Sequence, residues 1–411
     1  MLGVVDLDEN GTIEMTVKRG GEKLKRTLTL QTYTDENGAE VRRYGFTYGG
    51  IVEATPLVRL QYSWYNTLDF VRLVRMSLMM LVSGSAGLDD LSGPVGIVST
   101  IKDVGEEAQE ETMRMLDIYR EVAEDELAMP VLVGRKSDKE KFAGARATYS
   151  MEAMMQDGKA LQAGTSHNFG TNFAEAYNIQ YLSKEGKLTY VHETSWGVST
   201  RLIGAIIMTH GDERGLKLPP HIAPIQAVIV PVAAHKGGVM EKCAEIYDQL
   251  RAAGIRVKLD DRDTLSPGFK FNDWELKGVP VRVEIGPRDV ENGQCVVFRR
   301  DTYEKQTVAL TELPAMLPGL LENIQHNMYA LADAFRQTRI TDVHNMEELT
   351  RAVDGGFARA MWCGDRACED KIKELTAASS RNMPFDQTPI GDTCVCCGKK
   401  ADKLIYFARA Y

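Results

Sequence analysis

No His-Glu-x-x-His run occurs anywhere in the 411 residues, which excludes a metalloprotease of the type that holds zinc and its general base on one helix. The chain does not open with a basic stretch, a short apolar core and a small-residue cleavage site, so no secretory signal is expected. No cysteine precedes Cys243, and the seven present are too unevenly placed for a disulfide framework. Positive charge is in deficit: 49 Lys and Arg against 58 Asp and Glu give a net charge of −9. That argues against generic polyanion binding while leaving room for a local basic patch. An uninterrupted membrane-spanning run is also lacking, because the one long apolar stretch, residues 55–84, is broken by Arg59, Asp69, Arg72 and Arg75.

What is present describes a soluble globular chain, 44% hydrophobic and 26% charged, of a length that suits two to four domains. Near its start, TIEMTVKRGGEKLKRTLTLQ alternates apolar and polar residues about Gly20-Gly21, the pattern of a β-hairpin. Two DENG turns, at 8–11 and 35–38, extend this into a small β-rich unit. Residues 56–83 then read either as an amphipathic helix lying on a membrane surface, with Tyr62, Trp64 and Tyr65 at one end, or as a core helix.

DDLSGPVGIVSTI follows at 89–101. With the β unit and helix before it, this block resembles the site-2-type intramembrane metalloproteases that carry PDZ domains, over about residues 1–107. The resemblance implies a PDZ-like β fragment at 1–54 and a helix with the protease-like segment at 55–107. The zinc-binding helix of that family is absent, so this portion is not expected to be a protease.

From Glu106 the text reads as a surface helix, with acids crowding its first turn. Ala108, Thr112, Met115, Leu116, Tyr119 and Ala123 share one face, and Pro130 lies past its end. Beyond it, LQAGTSHNFG places small residues at Ala163, Gly164 and Thr165, where a ligand can approach the backbone. Gln162, Thr165 and His167 then offer polar groups; the alternative is a tight turn with a satisfied histidine. In SWGVSTRLIGAIIMTHGD a strand ends at Ser199-Thr200-Arg201 and runs into a helix packed through Leu202, Ile203, Ile206 and Ile207. An arginine at such a junction is placed to grip phosphate oxygens in pairs.

Together, ALQAGTSHNFG and TSWGVSTRLIGAIIMTHGDERGLKLPP resemble the prolyl-tRNA synthetases, class II aminoacyl-tRNA synthetases, and the likeness runs from about 107 to 411. The Gly-Val-Ser-Thr-Arg piece is similar to motif 3 of that class. The resemblance implies an antiparallel-sheet catalytic domain at 108–222, ATP contacts from Gln162, Thr165, Ser199 and Arg201, and a proline pocket lined by His167. Arg201 and His167 would carry the catalytic roles, with ATP and Mg²⁺ as cofactors and proline and tRNA-Pro as partners. Motifs 1 and 2 of the class are not found before the helix, where the protease-like block stands. Expectations follow from that: an impaired ligase, a strand edge left open in the catalytic sheet, and no dimer motif although the family forms homodimers. The rival reading is a non-catalytic tRNA-binding remnant of a chimeric chain, and membrane-surface contact by 56–83 is a third.

From Ala223 the pattern is βαβ: a strand at 226–232, a helix at 239–253 capped by Gly254, a strand at 255–259, a short helix in PGFKFNDWELKG and two further strands. This α/β unit, 223–312, resembles the anticodon-binding domain of the group. Glu275 and Arg282 stand where that family reads the guanines of the proline anticodon, a role open to carboxylate and guanidinium; the alternative is an exposed salt bridge. Residues 313–411 hold an amphipathic helix and then MWCGDRACED and GDTCVCCGKKADK. Cys363, Cys368, Cys394 and Cys397 make two thiol pairs suited to structural Zn²⁺, with Cys396 as an alternative to Cys394. IYFARAY resembles the family's C-terminus, in which a terminal tyrosine, here Tyr411, approaches the active site. A reducing, cytoplasmic location fits these thiols.

Overall fold

The computed structural model describes strands 12–19, 22–29, 31–34, 40–43 and 98–102, and residues 105–411 apart from 184–186. The chain divides into two compact units, Met1–Ser63 and Trp64–Tyr411. In the first, β1 (Thr12–Arg19) and β2 (Glu22–Thr29) pair antiparallel, with Ile13 opposite Leu28 and Val17 opposite Leu24. Arg19 opposite Glu22 is the last pair of this register. β3 (Gln31–Thr34) and β4 (Glu40–Arg43) form a second antiparallel pair. The 56–83 helix lies outside the described residues.

The second unit begins with β5 (Val98–Lys102) and α1 (Gly105–Glu121), which runs on through one π turn to Glu126. Next come β6 (Val131–Arg135), β7 (Ala147–Met154), β8 (Ala160–Gly170), α2 (Asn172–Tyr177), β9 (Gln180–Leu182), β10 (Leu188–Tyr190), β11 (His192–Gly197) and α3 (Arg201–His210). The neighbours β6, β7, β8, β11 and β5 form one antiparallel sheet. Leu116 of α1 and Leu202, Ile203 and Ile206 of α3 pack with Met151, Ala153, Leu161 and Ala163 of the sheet, so helices cover one face. β11 is not the last strand at its end of the sheet; β5 is. Val98–Lys102, from the stretch read as protease-like, pairs with His192–Trp196 and covers it.

Residues 227–309 build a mixed sheet in the order β13-β12-β14-β15-β16. Its strands are β12 (Ala227–Pro231), β13 (Val257–Leu259), β14 (Val281–Ile285), β15 (Gln294–Arg299) and β16 (Lys305–Ala309). Helices α4 (Val239–Ala252), α5 (Pro267–Leu276) and α6 (Pro287–Glu291) join them. Gly254 takes φ +83° just past α4, the left-handed ending for which glycine carries no Cβ penalty. Ser266 caps α5 by accepting from the Phe269 amide, with Pro267 in the first turn. α7 (Leu313–Thr338) begins just after 312 and buries Leu313, Leu317, Leu321, Ile324 and Met328 in this α/β core.

The last portion is a second mixed sheet, β17 (Ile340–Val343), β18 (Phe357–Trp362), β21 (Lys403–Ala408) and β19 (Ser379–Ser380), with α8 (Met346–Ala352) and α9 (Arg366–Thr376). A two-residue strand, β20 (Met383–Pro384), leaves it and pairs with β6, joining this portion to the first sheet.

Candidate active site, metal centre and anticodon surface

The face of the first sheet away from the helices is polar. β7 presents Thr148, Ser150 and Glu152, and register sets them opposite His167, Thr165 and Gln162 of β8. Gln162 and Thr165 are three apart and would point to opposite faces of a regular strand. A bulge opposite Met151 and Glu152 absorbs one residue, and the three polar groups expected from the sequence come to share a face. The sequence offered one trace of it, the small pair Ala163-Gly164.

Arg201, first residue of α3, donates from Nη1 to the Gln162 carbonyl at 3.3 Å, and its amide donates to Ser199 Oγ at 3.3 Å. Its guanidinium is therefore folded over β8 and open to solvent. His167 is half-buried, bonded through Nδ1 to Thr148 Oγ1 at 2.9 Å and stacked on Phe169 at 5.8 Å. Burial, and then the nearby Lys136 cation, hold its pKa down at about 4, so the ring is neutral at pH 7. A neutral imidazole against Phe142 and Phe169 makes a wall for a small apolar ligand without adding charge. Gln162, Thr165 and His167 share this face, with Ser199 and Arg201 bonded beside Gln162, and the satisfied-histidine alternative describes the Nδ1 side.

Sequence reasoning missed the buried ions beneath this face. Glu152 is fully buried; its Oε1 accepts from Lys136 Nζ at 3.2 Å and Ser150 Oγ at 2.9 Å, and its Oε2 from Arg381 Nη2 at 2.7 Å. Tyr411 also comes to this sheet: its amide donates to the Ala160 carbonyl at 3.2 Å, and its hydroxyl to Asp157 Oδ2 at 2.5 Å. The terminal residue thus lies beside the start of β8.

The four cysteines named above gather as one cluster, all Sγ atoms lying within 4.8 Å of one another. Cys363 is 3.7 Å from Cys368 and 3.8 Å from Cys397. Four thiolates about 2.3 Å from a central Zn²⁺ have tetrahedral edges of about 3.8 Å, so the set fits that ion. Cys394 is in the cluster and Cys396 is not.

Glu275 and Arg282 do pair with each other, but not at the surface. Arg282 Nη1 donates to Glu275 Oε1 at 2.7 Å, and both side chains are buried. Phe271 and Phe298 clamp the guanidinium at 4.2 and 4.1 Å, and Glu284 takes a second bond from Nε at 3.0 Å. This corrects the exposed-bridge alternative. Arg214, itself mostly exposed, reaches the other Glu275 oxygen at 3.4 Å.

Residues 226–320 match the family model "Anticodon binding domain", and residues 346–411 match "Prolyl-tRNA synthetase, C-terminal". The C-terminal part of the chain is similar to the corresponding portion of prolyl-tRNA synthetases. Over 314 residues the chain is 55% identical to the proline--tRNA ligase of Alkaliphilus oremlandii, covering 76% of this chain and 65% of that protein. It is 54% identical to the corresponding ligase of Lachnospira eligens, with the same coverages, and 51% identical to proline--tRNA ligase 2 of Bacillus cereus, covering 76% and 66%. The chain therefore spans about 65% of the length of the first of these relatives. The synthetase portion includes the thiol cluster, since all four cysteines fall within 346–411. No helix among the described residues is long and apolar enough to cross a membrane.

Proposed function

We propose that the chain is a proline–tRNA ligase, or the greater part of one, activating proline with ATP and passing it to tRNA-Pro. The observation that carries this reading is the bulged face of β8, where Gln162, Thr165 and neutral His167 stand beside the Arg201 guanidinium. In the reaction a proline carboxylate oxygen attacks the α-phosphorus of ATP, and the bond to pyrophosphate breaks. The prolyl group then moves to a ribose hydroxyl of the tRNA 3′ end, releasing AMP. Arg201, Ser199, Gln162 and Thr165 hold ATP, and His167 lines the proline pocket. Positioning and charge neutralisation, helped by Mg²⁺, account for such chemistry without a protein nucleophile. Glu275 and Arg282 read anticodon guanines, and Zn²⁺ on Cys363, Cys368, Cys394 and Cys397 staples the C-terminal domain.

The finer assignments belong to the same proposal. Residues 1–107 carry a PDZ-like and protease-like fragment with no chemistry of their own. The chain acts in the cytoplasm, and pairing of two copies follows the family habit. Contact of 56–83 with a membrane surface is tested by liposome flotation, lost if Arg72 and Arg75 are changed to Glu.

Proline-dependent exchange of pyrophosphate into ATP, measured on the full chain, decides the main reading. Exchange that disappears in Arg201→Ala supports the ligase. Retention of tRNA-Pro with no exchange supports a non-catalytic tRNA-binding remnant.

A further inference from the structure

Arg300 is 1% exposed, although it carries a full charge on a strand-end turn. Its three nitrogens face two different parts of the molecule. Nε donates to the main-chain carbonyl of Glu275 at 3.0 Å. Nη1 and Nη2 take both oxygens of Asp212, at 2.8 and 2.7 Å. Asp212 lies two residues past α3, the helix that begins with Arg201. The Tyr303 hydroxyl, held by a backbone at φ +65°, closes on the same carboxylate, and Lys217 adds a bond at 2.9 Å.

The backbone reinforces the connection. Leu216 N donates to Leu276 O at 3.0 Å, and Leu218 N to Gly278 O at 3.1 Å, zipping the segment after α3 to the end of α5. The fit allows no side chain at either glycine. A Cβ at Gly215 would lie 2.6 Å from Leu276 backbone atoms, and one at Gly278 2.6 Å from Leu216 Cβ. The two ends of this connection differ in freedom. Arg282 holds Glu275 Oε1 in a buried, short bond, whereas exposed Arg214 holds Oε2 at 3.4 Å. A base offering N–H groups to Glu275 would compete with Arg214, the weaker partner, which lies on the same turn that Arg300 anchors.

We propose that Arg300, with Asp212 and Tyr303, is a positioning unit that passes occupancy of Glu275 by a guanine to helix α3 and so to Arg201. This rests on the anticodon reading given above. The unit has a discrete change to transmit, loss of the Arg214 contact, and a stiff path of two bonded segments. An exposed ion pair at the same place would leave α3 indifferent to the anticodon.

Amide hydrogen exchange on the full chain tests it, using an RNA stem-loop with a UGG anticodon and a control in which both guanines are adenine. The expected result is a several-fold change in exchange of amides in 201–217 with the UGG loop and none with the control. In Tyr303→Phe, which keeps the Arg300–Asp212 pair but drops the two bonds that the hydroxyl makes to them, the change in 201–217 shrinks while protection of 267–285 persists. Binding of the UGG loop that protects 267–285 and leaves 201–217 untouched overturns the coupling alone. Equal affinity for both loops overturns the anticodon reading and the coupling with it.

Discussion

Arg381 places two nitrogens, Nε at 3.0 Å and Nη2 at 2.7 Å, on a single oxygen of Glu152, a residue 229 positions earlier in the chain and fully buried. Neighbouring residues repeat the joint. Ser137, next to Lys136, and Ser380, next to Arg381, both bond Glu369, which directly follows the thiol Cys368. The polar face of β8 and the cysteine-bearing domain therefore share one buried network, and what disturbs either end is felt at the other.

Glu152→Gln leaves Lys136 and Arg381 buried without their carboxylate. Removing one partner of a buried ion cluster costs about 3–5 kcal/mol. A fall in the thermal midpoint of many degrees is expected, and a variant melting within a degree or two of the parent would refute the role given to the cluster.

The close approach of β20 to β6 gives a steric prediction. A Cβ at Gly134 would sit 2.2 Å from the Met383 carbonyl oxygen, and backbone cannot yield as a side-chain tip does. Gly134→Ala should loosen the joint between the sheets at a cost of about 1–3 kcal/mol. Limited proteolysis near 383 should become faster, and unchanged cleavage would argue against the joint.

For the thiol cluster, the full chain should carry about one zinc, the number that four soft ligands in a tetrahedron hold. Cys397→Ser should lose it, because Cys397 is in the cluster, and Cys396→Ser should keep it. Metal analysis by mass spectrometry after gel filtration reads both. Loss in Cys396→Ser with retention in Cys394→Ser would reverse the assignment.

His210, at the end of α3, is buried and bonded through Nε2 to the Leu127 carbonyl at 2.9 Å. Burial drives its pKa from 6.5 down to about 4. The folded state therefore binds fewer protons than the unfolded state between these values. Stability from the neutral ring is present above pH 6.5 and falls as the pH drops toward 4, by on the order of 1 kcal/mol per pH unit. Urea unfolding at pH 7, 6 and 5 should show this slope reduced in His210→Gln, and identical slopes would sink the account.

Much of this was readable without coordinates. Period-two alternation about Gly20-Gly21 specifies the first hairpin, since only one two-residue turn places Val17 against Leu24. Helical spacing of Leu202, Ile203 and Ile206 specifies the buried side of α3, and Ser266-Pro267 specifies where α5 begins. These are local rules, acting over a few residues. The same holds for the cysteine set, which the choice between Cys394 and Cys396 alone left open.

Distance in the chain decided the rest. That Gln162 and Thr165 share a face depends on a bulge defined against β7, which no spacing within β8 expresses. Glu152 in SMEAM is written like any alternating strand residue, and only the arrival of Arg381 makes its burial tolerable. Glu275 and Arg282 differ from a surface pair because Phe271 and Phe298 close over the guanidinium. Sequence determines which segments are helix or strand because those preferences are set by neighbours. Which charges are buried, and with whom, is settled only when remote segments meet and desolvation must be compensated on the spot.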